Sequence, residues 1–145
     1  MFHMDPAALR ELREQLKQAV HDHAHWEENL IRSIVCRLPC DPNDLEDRAH
    51  RQCRFGQWYY EQAPVELWEQ PAFVAIEAEH KRLHQIAARM LREASAGAPV
   101  AREDYDDFVT GGERLHLELD SLRHALAGSL LDRDALTGAC GRVEM

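Results

Sequence analysis

Apolar side chains recur at intervals of three or four residues along most of the chain, which predicts helices with one buried face. Asp5 followed by Pro6 indicates a helix start, because an N-cap acceptor precedes a proline at the first helical position. The apolar row of this first helix continues until Pro39 and consists of Leu9, Leu12, Leu16, Val20, Trp26, Leu30 and Ile34. His23 falls in the same row, so its side chain is predicted to point into the core.

A second, shorter helix is predicted after the turn at residues 41–44, since Asn43 and Glu46 have the spacing of a capping box. One face of this helix carries Leu45, Ala49, Cys53, Gly56 and Tyr60. Cys53 is therefore predicted to point inward. A glycine inside a helix indicates either a break or the close approach of a neighbouring helix, and we expect a helix to pass Gly56.

Two longer helices are predicted in the second half of the chain. One runs from Pro71 to about Ser95 and is ended by Gly97; its inner row is Phe73, Ile76, His80, Leu83, His84, Ala87 and Leu91. The other follows Pro99, ends near Leu131, is expected to kink at Gly111 and Gly112, and carries Phe108, Leu115, Leu119, Leu122 and Leu126. The predicted fold class is all-α, a four-helix bundle with an additional short helix.

The composition excludes several classes of function. The 145 residues suit one domain with a sizeable core, and the net charge of −9 disfavours nucleic acid and anionic membrane surfaces as partners. No apolar run approaches the roughly 20 residues of a membrane span, and no secretion signal precedes the first helix. A cytoplasmic location is therefore expected, in which the four cysteines are thiols or metal ligands rather than disulfides.

The inward-facing positions suggest a metal site built from His23, Cys53, His80 and His84. His80 and His84 are four residues apart on one helical face, so their imidazoles can chelate one ion. With His23 and Cys53 they make four ligands of the types that Zn²⁺ prefers, without an open position for water. A closed site of this kind is structural or sensory rather than hydrolytic.

The other cysteines, histidines and acidic residues are not predicted to be metal ligands. Cys36 and Cys40 have no nearby partners, and Pro39 breaks the face that they would share. Solvent exposure is the simplest interpretation for Glu27, Glu28, His21, His50, His124 and the acidic residues Glu103, Asp104, Asp106 and Asp107. His25 and His116 are also expected near solvent, with a supporting role behind the ligands as their alternative.

Three motifs resemble the chemoreceptor zinc-binding (CZB) family. They are His23-Ala24-His25-Trp26, Cys53-Arg54-Phe55-Gly56-Gln57-Trp58 and His80-Lys81-Arg82-Leu83-His84. The resemblance covers residues 5–131 and implies a zinc-sensing domain that forms homodimers, with Zn²⁺ held by His23, Cys53, His80 and His84. A zinc-bound thiolate is also a target for oxidants, so a redox-responsive site is a second possibility.

The tail, residues 132–145, is similar to the opening of a GGDEF diguanylate cyclase domain through Asp134, Leu136, Thr137, Gly138 and Arg142. It departs from that pattern at Ala139 and Gly141. The GGDEF motif itself is absent, so this chain is not expected to be an enzyme. Both resemblances together imply the regulatory part of a cyclase whose C-terminal GGDEF domain makes cyclic di-GMP as a dimer.

Two alternatives remain open from the sequence. A hemerythrin-like di-iron bundle also uses helices with inward histidines, and His116 with Asp120 resembles a fragment of its ligand set. A metal-free dimerisation module would use the same histidines as ordinary core residues, since a buried histidine is usually hydrogen-bonded within the protein.

Overall fold

The computed structural model describes residues 4–143, with side chains up to Leu130, and it confirms the all-α class. These residues contain five α-helices: α1 Pro6–Val35, α2 Ala49–Gln52, α3 Arg54–Gln57, α4 Pro71–Ser95 and α5 Arg102–Val143. Turns of 3-10 helix occupy Pro42–Leu45 and Val65–Glu69, and a π-helical turn, Trp58–Gln62, follows α3 directly.

Helix α1 begins where the sequence predicts but ends at Val35, four residues before Pro39, where the sequence pattern placed its end. The Asp5 carboxylate accepts a hydrogen bond of 2.8 Å from the backbone N–H of Ala8, and Pro6 occupies the first helical position. After Val35 the chain reverses at Arg37, whose φ of 53° is left-handed. The Arg37 guanidinium donates to the carbonyls of Ala94 and Ala98, and so joins the end of α1 to the end of α4.

The three long helices bury the apolar rows that the sequence marks. Helix α5 packs against α4 most extensively and against α1 as well. The buried members include Leu9, Leu12, Leu16, Leu30, Ile34, Phe73, Ile76, Leu83, Leu91, Phe108, Leu115, Leu119, Leu122 and Leu126. Helix α3 lies against α1, and α2 lies against α4, so the short helices complete the packing between the long ones.

The predicted second helix is not continuous. Asp41, rather than Asn43, caps the turn Pro42–Leu45, because its side chain accepts the backbone N–H of Asn43 at 2.9 Å. The helix then breaks at Cys53, whose backbone is extended with φ −67° and ψ 159°. This residue ends α2 and caps α3, so Cys53 reaches the interior from a break and not from a helical face.

Gly56 allows the chain to fold back on itself at this break. A Cβ on Gly56 would collide with the backbone carbonyl of His50, on α2. The close approach expected at Gly56 therefore exists, but its partner is the preceding short helix rather than a neighbouring long one. Any larger residue would push α2 and α3 apart.

Gly111 and Gly112 do not end or divide α5, which is one helix from Arg102 to Val143. Both glycines are buried. A Cβ on Gly111 would crowd the Leu83 side chain of α4, and one on Gly112 would collide with the Glu27 carboxylate of α1. The glycine pair therefore makes room for side chains of two neighbouring helices, where the sequence suggested a kink.

Helix α5 continues to Val143, past Leu131 where the sequence pattern placed its end. No proline interrupts this stretch, and residues such as Ala135 and Leu136 favour helix. The division into a domain at 5–131 and a connector at 132–145 stays a prediction. Between residues 4 and 143, no helix has both the length and the apolar character needed to cross a membrane.

Gly56→Ala is expected to destabilise the fold, because the added methyl meets backbone rather than a side chain that can turn away. The expected loss is about 1–3 kcal/mol in the free energy of unfolding, measured with urea. Gly128→Ala is the matched control, since a Cβ there meets nothing within 4 Å and alanine favours a helix by about 1 kcal/mol. Equal stabilities of the two variants would contradict the close approach at Gly56.

Candidate metal centre

The four predicted ligands come from three separate segments of the chain. His23 lies on α1, His80 and His84 lie one turn apart on α4, and Cys53 lies in the break between α2 and α3. The three histidines are buried, with exposed fractions of 1%, 1% and 3%, and Cys53 is half-buried. The helical rows therefore identified the inward histidines correctly.

The three imidazoles form one compact group. Each has a ring nitrogen within 4.8 Å of a ring nitrogen on the other two. The Cys53 sulfur joins this group at its edge, 3.4 Å from His80 Nε2. The residues predicted as ligands are thus brought together, with Cys53 placed next to one histidine of the pair.

The backbone of the break determines where the Cys53 sulfur lies. Because Cys53 is the N-cap of α3, its Sγ accepts the backbone N–H of Gly56 at 3.2 Å. Its thiol also lies 3.6 Å from the carbonyl oxygen of His50. Because Gly56 has no side chain, its N–H can approach the His50 carbonyl closely, and both groups contact the Cys53 sulfur. The motif Cys53-x-x-Gly56 therefore allows the break and determines the position of the sulfur.

Several buried nitrogens of this group have no hydrogen-bond partner among the described residues. They are His23 Nε2, His80 Nδ1 and both ring nitrogens of His84. A buried polar atom without a partner costs about 1–3 kcal/mol, and histidines in protein cores are normally hydrogen-bonded. The donor set of three imidazoles and a thiol therefore fits a tetrahedral metal ion with nitrogen and sulfur ligands.

Burial keeps the histidine pair neutral. It lowers the pKa of His84 to about 3 and holds the pKa of His80 well below its ordinary range, with the neighbouring histidines adding to both effects. Burial also raises the pKa of the Cys53 thiol to about 11. Neutral imidazole is the form that binds metal, whereas the thiol must lose its proton when it becomes a ligand.

Aromatic side chains fix the orientation of these imidazoles. The His84 ring stacks on Trp26, with centroids 4.1 Å apart and planes at 26°, and the His80 ring lies 4.7 Å from that of Phe55. The Trp26 indole N–H donates to Asp44 at 3.2 Å, which holds the stacking surface in place. Trp26 and Phe55 of the sequence motifs therefore line the site and restrict the orientation of its imidazole rings.

Glu27 was wrongly predicted to be solvated. Its carboxylate is only 16% exposed and accepts hydrogen bonds from His23 Nδ1 at 3.1 Å and His116 Nε2 at 2.7 Å. Burial alone would raise the pKa of Glu27, but the hydrogen bonds from His116 and His23 lower it to about 2. The signal in the sequence was the spacing of four residues between His23 and Glu27, which equals that of the histidine pair.

Two further predictions of solvent exposure are wrong. His50, on α2, is 6% exposed, and its ring lies 6.0 Å from that of Tyr60 and 6.3 Å from that of His80. Asp104 is 8% exposed and pairs with Arg89 of α4 at 2.9 Å. His116 supports the centre through Glu27, whereas His25 is exposed and its supporting role is not observed.

The remaining candidates are not among the side chains whose ligand atoms cluster at the centre in the described part of the chain. Asp120, suggested as part of a di-iron fragment with His116, is 56% exposed and pairs with Arg123 at 3.5 Å. Cys36 is exposed, and the Cys40 sulfur lies 3.9 Å from the Ser95 hydroxyl. His21 and His124 are exposed, as predicted.

Comparison with known proteins identifies relatives of this chain. Residues 23–91 match the family model of the chemoreceptor zinc-binding domain. The chain is 24% identical over 127 residues to the diguanylate cyclase DgcZ of Escherichia coli (strain K12), an alignment that covers 88% of this chain and 43% of that cyclase. The chain therefore spans less than half the length of this relative.

The fold has a solved counterpart. The structure of the regulatory CZB domain of DgcZ superimposes with a TM-score of 0.69 at 18% identity, covering 82% of this chain and 98% of the other. Within these 145 residues the matches are thus to a regulatory domain, and the GGDEF motif does not occur. Residues 23–91, the part of the chain that matches the chemoreceptor zinc-binding family model, contain all four predicted ligands and the three motifs that resemble this family.

Proposed function

We propose that this chain binds one Zn²⁺ ion through His23, Cys53, His80 and His84 and acts as a sensory domain. The observation that carries the proposal is a set of histidine nitrogens without a hydrogen-bond partner in the described part of the chain, on three rings that face one another inside the core. When bound to four protein ligands, zinc supplies a cross-link rather than a reactive centre with an open position. The family match to a zinc-binding domain supports the same assignment.

The ligands connect parts of the fold that are otherwise held by modest contacts. Helix α1, the break at Cys53 and helix α4 each contribute at least one side chain. Because the site forms only when these segments are packed, binding free energy adds to the stability of the native state. Loss of the ligand interactions should therefore release the short helices α2 and α3 first, since they bury few residues of their own.

We further propose that the domain regulates an attached C-terminal cyclase, as a homodimer. The relative DgcZ is a diguanylate cyclase, and this chain aligns with 43% of it. Helix α5 is the element that runs towards the C-terminus, and it exposes the apolar side chains of Val109 and Leu117. A domain that controls synthesis of a nucleotide from GTP would act in the cytoplasm.

Cys53 also supports a second, redox input at the same site. It lines a groove of about 680 Å³ that also borders His23 and Trp26, so a small oxidant can reach the sulfur. The thiol form has a pKa of about 11 and reacts slowly at neutral pH, whereas the ligating form is a thiolate. Oxidation of Cys53 to a sulfenic acid would weaken one ligand and mimic loss of zinc.

The purified chain is expected to contain about one zinc ion, because the four ligands complete a tetrahedral site. In the Cys53→Ala variant, zinc should be lost or bound far more weakly, and elemental analysis of both proteins measures this. Cys40→Ala is the control and should retain zinc, since its sulfur lies beside Ser95. Absence of zinc from every protein would favour a metal-free dimerisation module, and iron would favour the hemerythrin-like alternative.

His84→Leu is expected to stabilise the metal-free protein while abolishing zinc binding. The substitution removes two buried nitrogens that lack partners, and this gain exceeds the lost stacking on Trp26. Urea unfolding in the presence of chelator should show a free energy of unfolding higher by about 1 kcal/mol.

The matched control is His25→Leu, on an exposed position of α1. It should change the stability by less than about 0.5 kcal/mol and leave zinc content unchanged. A large destabilisation by His84→Leu would mean that this histidine is a satisfied core residue, contrary to the proposal.

In the full-length parent protein, chelation is expected to change the rate of cyclic di-GMP synthesis by about 5-fold or more, the usual lower range of coupling between two sites. The Cys53→Ala parent should have the same rate with and without chelator, because its site is already lost. An unchanged rate in the wild type would show that zinc binding and cyclase activity are not coupled, even if zinc is present.

A further inference from the structure

Glu27 links the candidate metal centre on α1 to helix α5, which provides none of the four ligands. One oxygen, Oε2, lies 3.1 Å from His23 Nδ1 and 2.7 Å from His116 Nε2. A carboxylate can only accept these hydrogen bonds, so each ring carries a proton on the nitrogen that faces Glu27. As a metal ligand, the His23 ring would then present the lone pair of its other nitrogen, Nε2.

The second oxygen of Glu27 lies in a notch on the surface of α5. Gly112 and His116 are four residues apart and therefore share a face of this helix. A Cβ on Gly112 would collide with Glu27 Oε1, so the carboxylate rests directly against the α5 backbone. Gly112 and His116 together form the surface of α5 that contacts the Glu27 carboxylate, and we call this surface the carboxylate seat.

We propose that Glu27, seated between Gly112 and His116, is a positioning residue that directs His23 Nε2 into the zinc site and couples that site to α5. This inference rests on the proposed zinc-binding function. The unpartnered nitrogen of His23 is Nε2, the one that the Glu27 hydrogen bond leaves free. Partners that fix the orientation of a ligating histidine typically strengthen metal binding 10–100-fold.

The coupling follows from the shared carboxylate. A movement of α5 relative to α1 shifts the Gly112–His116 surface and so moves the Glu27 carboxylate. Because Glu27 is hydrogen-bonded to His23, the orientation of the His23 ring changes as well. By thermodynamic reciprocity, occupation of the zinc site must then favour the arrangement of α5 in which the seat is intact. A signal can therefore reach the helix that runs towards the C-terminus through a side chain that does not touch the ion.

A second group of possible metal ligands lies beside the first. Its ligand atoms are within 4.8 Å of one another and belong to His23, Glu27 and His116. The two histidine contacts to Glu27 have ordinary hydrogen-bond lengths, which a proton between the atoms explains. We therefore assign this group to support of the first site and not to a second ion. Two zinc ions per chain would overturn this assignment.

The test compares Gly112→Ala with Gly128→Ala, two glycine substitutions on the same helix. Zinc affinity is measured on the purified chain by competition with a chromogenic chelator. The His23 tautomer is read from long-range ¹H–¹⁵N spectra of the zinc-free protein. Gly112→Ala should weaken zinc binding at least about tenfold, and the spectrum should change from a single tautomer protonated on Nδ1 to a mixture.

Gly128→Ala should change neither quantity, because a Cβ there meets nothing within 4 Å. Gly128→Ala should unfold at a temperature no lower than the wild type, since alanine is the better helix former. Gly112→Ala should unfold at a lower temperature, because the displaced Glu27 carboxylate loses its hydrogen bonds. His116→Leu provides an independent change at the same seat and should also weaken zinc binding at least about tenfold.

The outcomes separate this inference from the proposed function. Tight zinc binding by wild type that is unchanged in Gly112→Ala and His116→Leu would overturn the positioning role and leave the four-ligand site intact. A wild-type chain without zinc would overturn the proposed function. The tautomer spectra would still decide the role of Glu27 in that case, because they are recorded without metal.

Discussion

Three buried histidines, with ring nitrogens that find no hydrogen-bond partner between residues 4 and 130, impose the main constraint on this fold. A protein core normally pairs its polar atoms, yet His23, His80 and His84 face one another with only apolar and aromatic neighbours on several sides. Aromatic rings hold these imidazoles in place, and the low pKa of His84 keeps its ring neutral. If these histidines hold zinc as proposed, the architecture gives up stability in the metal-free state to keep its ligands in position.

The break between α2 and α3 brings the Cys53 sulfur next to the buried histidines. A continuous helix would place the sulfur by side-chain periodicity alone. The observed break instead fixes it through the N–H of Gly56 and brings it 3.4 Å from His80. The short helices α2 and α3 have four residues each and bury two apiece, so the proposed Cys53 ligand lies in a short segment of the kind that opens most easily. A site with one ligand on such a segment is well suited to sensing.

The sequence was sufficient to predict the long helices and the inward histidines, because both follow from the period of 3.6 residues. It predicted an inward Cys53 through the wrong local structure, since periodicity cannot reveal that a glycine lets the chain fold back. Glu27 was missed because its second partner, His116, lies on the distant helix α5. Gly112 was interpreted as a kink because its neighbour, the Glu27 carboxylate, is visible only in three dimensions.

The central claim is that three imidazoles and one thiolate hold a single zinc ion. Zinc K-edge X-ray absorption of the purified chain tests it most directly, because it measures how many nitrogen and sulfur atoms surround the ion and at what distances. The account predicts three nitrogen ligands at about 2.0–2.1 Å and one sulfur at about 2.3 Å. A zinc shell without sulfur, or one made of oxygen atoms in an octahedral arrangement, would contradict it.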